Sequence, residues 1–259
     1  MTTAPFAHPL YDQLVAEAAE PDLADWEYVQ DVHQFRLYRR RYQGCNPYGA
    51  ALDEIRHEAT PDLSLGAHDK QLAAGLTGSD DPLYEYKVVG AYADVPAAVL
   101  DRVYTDWTFR QNWDVNMLSW GLVGPDLFQF TLKAPFPLPK REYLYCLHKH
   151  QITHDEQTHY VTLGAALTDA GNCSGVAHRL LVPDVKPPRP TPGHTRVSQF
   201  FQCLVITPSA ADQGCQVYLH YFEHPQGPIP DFVVNWALKA ALPAFVKNLH
   251  DACLRYKAH

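Results

Sequence analysis

The sequence predicts an α+β fold in which a curved antiparallel β-sheet wraps a cavity closed by a long C-terminal helix. Three observations lead there. Many short segments alternate apolar and polar residues, the period of a half-buried strand. The gaps between them are too short for the helical crossovers of a parallel sheet, and the chain ends in its clearest amphipathic stripe. With 259 residues, 46% of them apolar and 19% charged, the whole chain, 1–259, is expected to form one domain with a substantial core.

The elements follow in order. Leu10, Leu14, Val15 and Ala18 have helical spacing and Pro21 stops the run, which predicts a short amphipathic first helix. Trp26 to Val29 and Phe35 to Arg39 alternate and are expected to pair as a hairpin. From about residue 43 to 82 the glycines Gly44, Gly49, Gly66, Gly75 and Gly78 surround one possible helical turn at Asp53–His57, the pattern of a long, partly ordered insertion. Strand alternation resumes from Tyr84 to Gly90, and Asp94-Val95-Pro96 starts a helix through Leu100, Val103 and Tyr104, with proline near its first turn. A further turn spans Thr108 to Trp113.

Strands are then expected at Leu118–Leu122, Leu127–Lys133, Tyr143–His150, Tyr160–Leu167, Thr195–Ile206 and Gln216–Phe222. A second insertion covers about 169–193, with the Pro-rich loop Pro183–Pro192 inside it. Phe232, Val233 and Trp236, then Phe245, Leu249, Ala252, Cys253 and Tyr256, mark one face of the terminal helix, and Pro243 should kink or segment it. Two helices inserted after the third strand, with a terminal helix long enough to cover the concave side, describe a helix-grip architecture.

Composition narrows the function. A net charge of −8 with scattered Lys and Arg argues against a nucleic-acid partner and against tight docking on anionic lipid. Met1 to Phe6 carry no basic or apolar leader pattern and no window is long enough to span a bilayer, so a cytoplasmic, monomeric protein is expected. Six cysteines without C-x-x-C spacing are expected to be reduced packing residues. His148 and His150, with His154 beyond, share a strand face, but no Cys or carboxylate completes a metal set at a usual spacing. A solvent-facing strand end is the expected role, and no metal or cofactor is predicted. There is no G-x-S-x-G, P-loop, G-x-G-x-x-G or H-E-x-x-H, so no catalytic residue is assigned.

Particular segments carry a resemblance. Leu83 to Val88, Phe109 to Asp114, Pro135-Phe136-Pro137 with Arg141 to Tyr145, Tyr221-Phe222 with Pro225, Gly227 and Ile229-Pro230, Asn235-Trp236-Ala237 with Lys239, and Pro243 with Phe245 occur in order. Together they resemble the phosphatidylcholine-carrying branch of the StAR-related lipid transfer (START) family, from about Trp26 to Tyr256 with interruptions at the two insertions. The resemblance implies a lipid-transfer protein that is not an enzyme, carries one phospholipid as cargo and makes transient contact with a membrane surface.

It also implies roles. The family's phosphate-binding arginine, in an R-x-x-W-D segment, matches Arg110, with its tyrosine at Tyr104 and its glutamine at Gln202. A guanidinium fork can satisfy two phosphate oxygens in a low-dielectric cavity; read alone, Arg110 would be a surface arginine in a polar turn. The family's head-group cage falls at Phe130, Tyr143, Phe200 and His220, with Leu132 beside them. Phe replaces Trp, another Phe replaces Tyr and His replaces Tyr, which weakens the faces that attract a quaternary ammonium. Taken alone, these rings read as ordinary sheet packing.

A gate is implied at the C-terminal helix and the loop Ala134–Pro139, with Phe136, Phe232 and Trp236 touching the membrane; a static lid is the alternative. Two other readings stay open. One is a different apolar ligand such as a sterol or carotenoid, or a different head group. The other is an enzyme of the same cavity class.

Overall fold

Pro9 opens the first helix and Glu20-Pro21 ends it, as the apolar spacing predicts. In this computed structural model the described residues are 9–44, 47–48, 83–124, 127–154, 156–166, 188–209, 213–224, 226 and 230–257. Helix α1 (Pro9–Ala19) buries Leu10, Tyr11, Leu14, Val15 and Ala18. At about 1.5–3 kcal/mol for each fully buried large aliphatic side chain, that stripe fastens α1 to the sheet. The turn expected at Asp53–His57, Cys45, Cys173 and most of both insertions lie outside the described residues.

The hairpin forms from β1 (Glu27–Val32) and β2 (Phe35–Arg41), and β3 (Tyr84–Tyr92) pairs with β2. Helices α2 (Ala97–Thr105) and α3 (Trp107–Arg110) follow. Pro96 sits at the start of α2, where its missing N–H has no helical partner to lose. Asp106 ends α2 and caps α3, its carboxylate accepting from the Phe109 N–H at 2.9 Å. The remaining strands are β4 (Met117–Gly124), β5 (Leu127–Leu132), β6 (Lys140–His154), β7 (Gln157–Ala166), β8 (His194–Val197), β9 (Phe200–Pro208) and β10 (Cys215–Glu223). They make one sheet in the order β1-β2-β3-β10-β9-β7-β6-β5-β4, with β8 on β6.

Two expectations change here. The run Thr195–Ile206 is two strands, β8 and β9, interrupted at Ser198-Gln199. The sheet is also not wholly antiparallel, because β8 runs parallel to β6 from Lys140↔His194 to Tyr143↔Val197. The cause is an open edge: β7 ends with Ala166 opposite Tyr145, and β8 supplies partners to Lys140, Arg141, Glu142 and Tyr143 of the stretch of β6 left over. Arg196 fixes it there, donating to the buried Glu142 carboxylate at 2.9 and 2.5 Å and to the Pro188 carbonyl at 2.8 Å.

The sheet has two different faces. On one, α1 covers Val161, Leu163, Phe201, Cys203, Val205, Tyr218 and Phe222. On the other, α2 and the terminal helix cover Tyr92, Leu204 and Ile206, with Val246, Leu249, Ala252 and Cys253 from the helix itself. The terminal helix is segmented, as Pro243 predicts: α4 (Asp231–Trp236), a π-helical turn (Ala237–Ala241) and α5 (Leu242–Lys257). A proline near the start of α5 cannot donate into the preceding turn, so the ladder is re-spaced just before it. Cys203, Cys215 and Cys253 are buried and form no disulfide.

His148 and His150 are not a solvent-facing strand end. Tyr11 of α1 lies over both: its hydroxyl is 2.7 Å from His148 Nε2 and its ring stacks on His150 at 3.9 Å. Among the described residues no group of three or more His, Cys, Asp or Glu gathers as a metal site, and no helix is long and apolar enough to cross a membrane.

Candidate functional site

Between the inner face of the sheet and the helices α2, α4 and the start of α5 lies a cavity of about 690 Å³. Alternation along the strands decides what it sees. Strand β10 gives it Leu219, Tyr221 and Glu223, strand β9 Phe200 and Gln202, and strand β6 Tyr143, Tyr145 and Leu147. Leu37, Val88, Val233 and Leu242 supply aliphatic wall. The wall is mainly apolar, with a small number of polar and charged side chains, among them Arg110, Gln202 and Glu223.

Arg110 lines this cavity and is buried. Helix α3 is a single turn, and its geometry brings Asp114 back to Arg110, whose Nε donates to the carboxylate at 3.0 Å. Four rings surround the guanidinium: Trp107 at 5.0 Å, Tyr104 at 5.1 Å, and Trp113 and Phe245 at 5.6 Å from its carbon to their centroids. Such faces attract a cation without consuming its N–H donors. Burial opposes the charge, and Tyr104 and Asp114 more than restore it. Tyr104 donates to the Gln202 side-chain carbonyl at 3.2 Å, so Arg110, Tyr104 and Gln202 form one cluster on the cavity wall.

The aromatic residues largely meet as well. Phe130 stacks on Tyr143 at 4.4 Å, and Phe200 stands edge-on to Tyr143 at 6.1 Å. Leu132 lines the same cavity. His220 does not join them. It lies on the opposite face, where Tyr48 is 2.5 Å from Nδ1 and Glu85 is 3.1 Å from Nε2, with Trp26 and Phe201 edge-on. The ring that β10 turns into the cavity is its neighbour Tyr221, which sits opposite Gln202 in the register. A shift of one residue along a strand exchanges faces, and that is the whole correction.

Sequence reasoning also missed Trp107, Tyr145 and Glu223. Trp107 packs against Phe130 at 5.6 Å and Tyr145 at 5.8 Å, and its buried indole nitrogen has no hydrogen-bond partner among the described residues. It restores a tryptophan to the ring cluster from a helix rather than from a strand. Glu223 accepts from Tyr143 at 2.9 Å and from Tyr221 through a very short bond. Burial pushes its carboxyl above the usual carboxylate range, against the two hydroxyls and Arg141, which favour ionisation. An acidic residue at a strand end carries no signal of its own in a sequence.

The expected gate residues lie at the surface. Phe136 is 92% exposed and Phe232 51% exposed, while Trp236 is half-buried on α4.

Comparison with known proteins agrees with this arrangement. The START domain family description matches residues 69–259. The phosphatidylcholine transfer protein of Rattus norvegicus is 32% identical over 218 residues, covering 79% of this chain and 94% of that protein. The mitochondrial StAR-related lipid transfer protein 7 of Homo sapiens is 25% identical over 240 residues, covering 90% of this chain and 50% of that protein. Among solved structures, human StAR-related lipid transfer protein 5 superposes with a TM-score of 0.59 at 12% identity, covering 97% of this chain and all of that one. The cavity, the sheet that wraps it and the matching sequence over most of its length make this chain a member of the START family of lipid-transfer domains.

Proposed function

We propose that this protein carries one phospholipid, phosphatidylcholine, in the cavity and exchanges it between membranes as a monomer of the cytoplasm. The observation that carries the reading is Arg110, a buried guanidinium on the wall of a mainly apolar cavity, clustered with Tyr104 and Gln202. Its bond to Asp114 engages Nε, and the Nη pair supplies the fork that a phosphodiester needs. The aliphatic walls take acyl chains, and Phe130, Tyr143 and Phe200 with Tyr221 and Trp107 provide faces for a cationic head. Similarity to the phosphatidylcholine transfer protein supports the choice of cargo.

Carriage has a physical purpose. Two acyl chains hold roughly thirty methylenes, and exposing them at about 0.8 kcal/mol each costs on the order of 24 kcal/mol. Spontaneous desorption is correspondingly slow, so a protein that shields the chains accelerates exchange. The site needs no cofactor for this, and no catalytic step is assigned.

Mass spectrometry of lipid extracted from the purified protein tests the reading. A phosphatidylcholine signal is expected, and a spectrum free of phospholipid overturns it. Arg110→Ala removes a charged hydrogen-bonding partner worth about 1.5–3 kcal/mol. It should weaken phosphodiester-lipid loading by roughly ten- to a hundredfold while leaving sterol binding, if any, unchanged.

A further inference from the structure

Among the described residues, the charged side chains that line the cavity are balanced inside the protein with one exception. Arg110 is paired with Asp114. Arg39, from β2, is held bidentately by Glu27 at 2.8 and 3.0 Å. Among the described cavity-lining residues Glu223 alone is a carboxylate, and its described hydrogen-bond partners are the neutral hydroxyls of Tyr143 and Tyr221. Arg141 acts on it from farther off.

The position of Glu223 is as informative as its charge. Tyr221 lies opposite Gln202 and Glu223 opposite Phe200 in the register of β10 with β9. Gln202 belongs to the Arg110 cluster and Phe200 to the aromatic one. Two residues along one strand face separate the pairs by about 7 Å, so the carboxylate framed by Phe200, Tyr143 and Tyr221 lies one register pair along the cavity wall from the cluster that holds Arg110. We infer that Glu223 is the residue that reads positive charge on the head group, selecting an amine-bearing zwitterionic phospholipid over one whose head group is uncharged or acidic.

This rests on the proposed carriage of a phospholipid and adds the rule by which it is chosen. The two tyrosine hydroxyls keep the carboxylate satisfied, as a buried acceptor requires. A quaternary ammonium makes no N–H bonds and lies against rings and carboxylate without displacing those hydroxyls. A glycerol head brings no charge to compensate the carboxylate, and a serine or phosphate head adds a second negative charge beside it.

The test offers the full chain vesicles with equal amounts of phosphatidylcholine and phosphatidylglycerol, which share the phosphodiester and the acyl chains, and quantifies the lipid recovered on the protein. The wild type should favour phosphatidylcholine by about tenfold or more, and Glu223→Gln, which keeps the size and an acceptor oxygen, should lose most of that preference while still loading phospholipid. An unchanged ratio with both lipids bound overturns the role of Glu223 and leaves the carrier reading intact. A wild type that takes both lipids equally also overturns it. Loading of neither lipid by the wild type overturns the carrier reading itself.

If the variant does not fold, the wild-type ratio is followed as the pH is lowered from 8 to 4.5. Burial raises the Glu223 carboxyl above its ordinary value of 4.5, so it takes up its proton earlier in that fall than an ordinary glutamate, and the preference should decline with it. The groups facing it are Tyr143 and Arg141 from β6, Tyr221 from β10 and, through Tyr221, Tyr104 from α2. Tyr84 and Tyr86 from β3 and Arg39 from β2 line the same cavity. Burial holds the hydroxyls of Tyr143, Tyr221, Tyr104 and Tyr86 above the ordinary tyrosine value, and His224, next in the chain, is held below the ordinary histidine range. A flat profile overturns the inference.

Discussion

His220 has two hydrogen-bonding neighbours, Tyr48 and Glu85, in a setting where burial pulls its imidazole below the ordinary value of 6.5 and Glu85 only partly reverses the effect. The folded protein thus binds this proton less readily than the unfolded chain, so stability is full above about pH 6.5 and is lost as pH falls below it. Glu85 works lower down. Burial raises its carboxyl, but bonds from His220 and Arg40 outweigh that and hold it below 4.5, so its contribution disappears only with further acidification. Thermal melting should decline between pH 6.5 and 5.5, and His220→Gln should flatten that part of the profile; an equally steep decline in the variant would remove His220 from the account. The same residue shows where a sequence stops being legible. On β10 the set Tyr218, His220, Phe222 and the set Leu219, Tyr221, Glu223 are both rich in rings and aliphatics. Alternation locates the strand and not its faces, because both faces are covered. Arg110, Tyr104 and Gln202 were legible through an extended motif, whereas Glu223 becomes meaningful only when Tyr143 arrives from β6.

At the scale of elements, the terminal helix is two structures with different duties. Val246, Leu249, Ala252 and Cys253 of α5 belong to the core under α2, whereas Phe232 and Val234 of α4 are exposed and Val233 reaches the cavity. The π-helical turn between them has no buried residue. It is tied to the sheet by Gln30, whose amide donates to the Leu238 carbonyl at 2.7 Å. A gate, if the helix provides one, is therefore α4 with the π-helical turn, hinged where the ladder is already irregular, and removing everything from residue 229 onward would take the core with it. Leu249→Ala should cost about 2–5 kcal/mol, lowering the melting temperature. Phe232→Ala should stay within about 0.5 kcal/mol, as surface changes do, yet slow lipid transfer between vesicles. Equal destabilisation by both would make the whole helix a static lid. The segmentation was readable from Pro243, since a missing N–H is a local fact. The split of Thr195–Ile206 was not, because the open edge of β6 that β8 fills is created by where β7 stops, at Ala166, 28 residues before β8 begins though beside it in the sheet.

For the molecule as a whole, the proposed exchange requires an acidic chain to meet a membrane surface and release a lipid there. The net charge of −8 opposes approach to an anionic leaflet, so contact depends on apolar side chains held out from the body. Phe136 is the most exposed of these at 92%, in the loop between β5 and β6, both of which line the cavity through Phe130, Leu132 and Tyr143. Lys133, Lys140 and Arg141 flank that loop, and in the proposed exchange this local positive charge would orient the acidic molecule toward the bilayer. Seating one phenyl ring in the interface is worth about 1.5–3 kcal/mol, or roughly ten- to a hundredfold in the population of the docked complex. Phe136→Asp removes that contact and touches no residue of the cavity. Phospholipid transfer between vesicles should therefore fall by about tenfold or more, while the amount of lipid bound at equilibrium and the melting temperature stay as they are. A variant that transfers normally would move the docking surface elsewhere, and one that loses bound lipid in proportion to its rate would show that Phe136 shapes the pocket rather than the encounter.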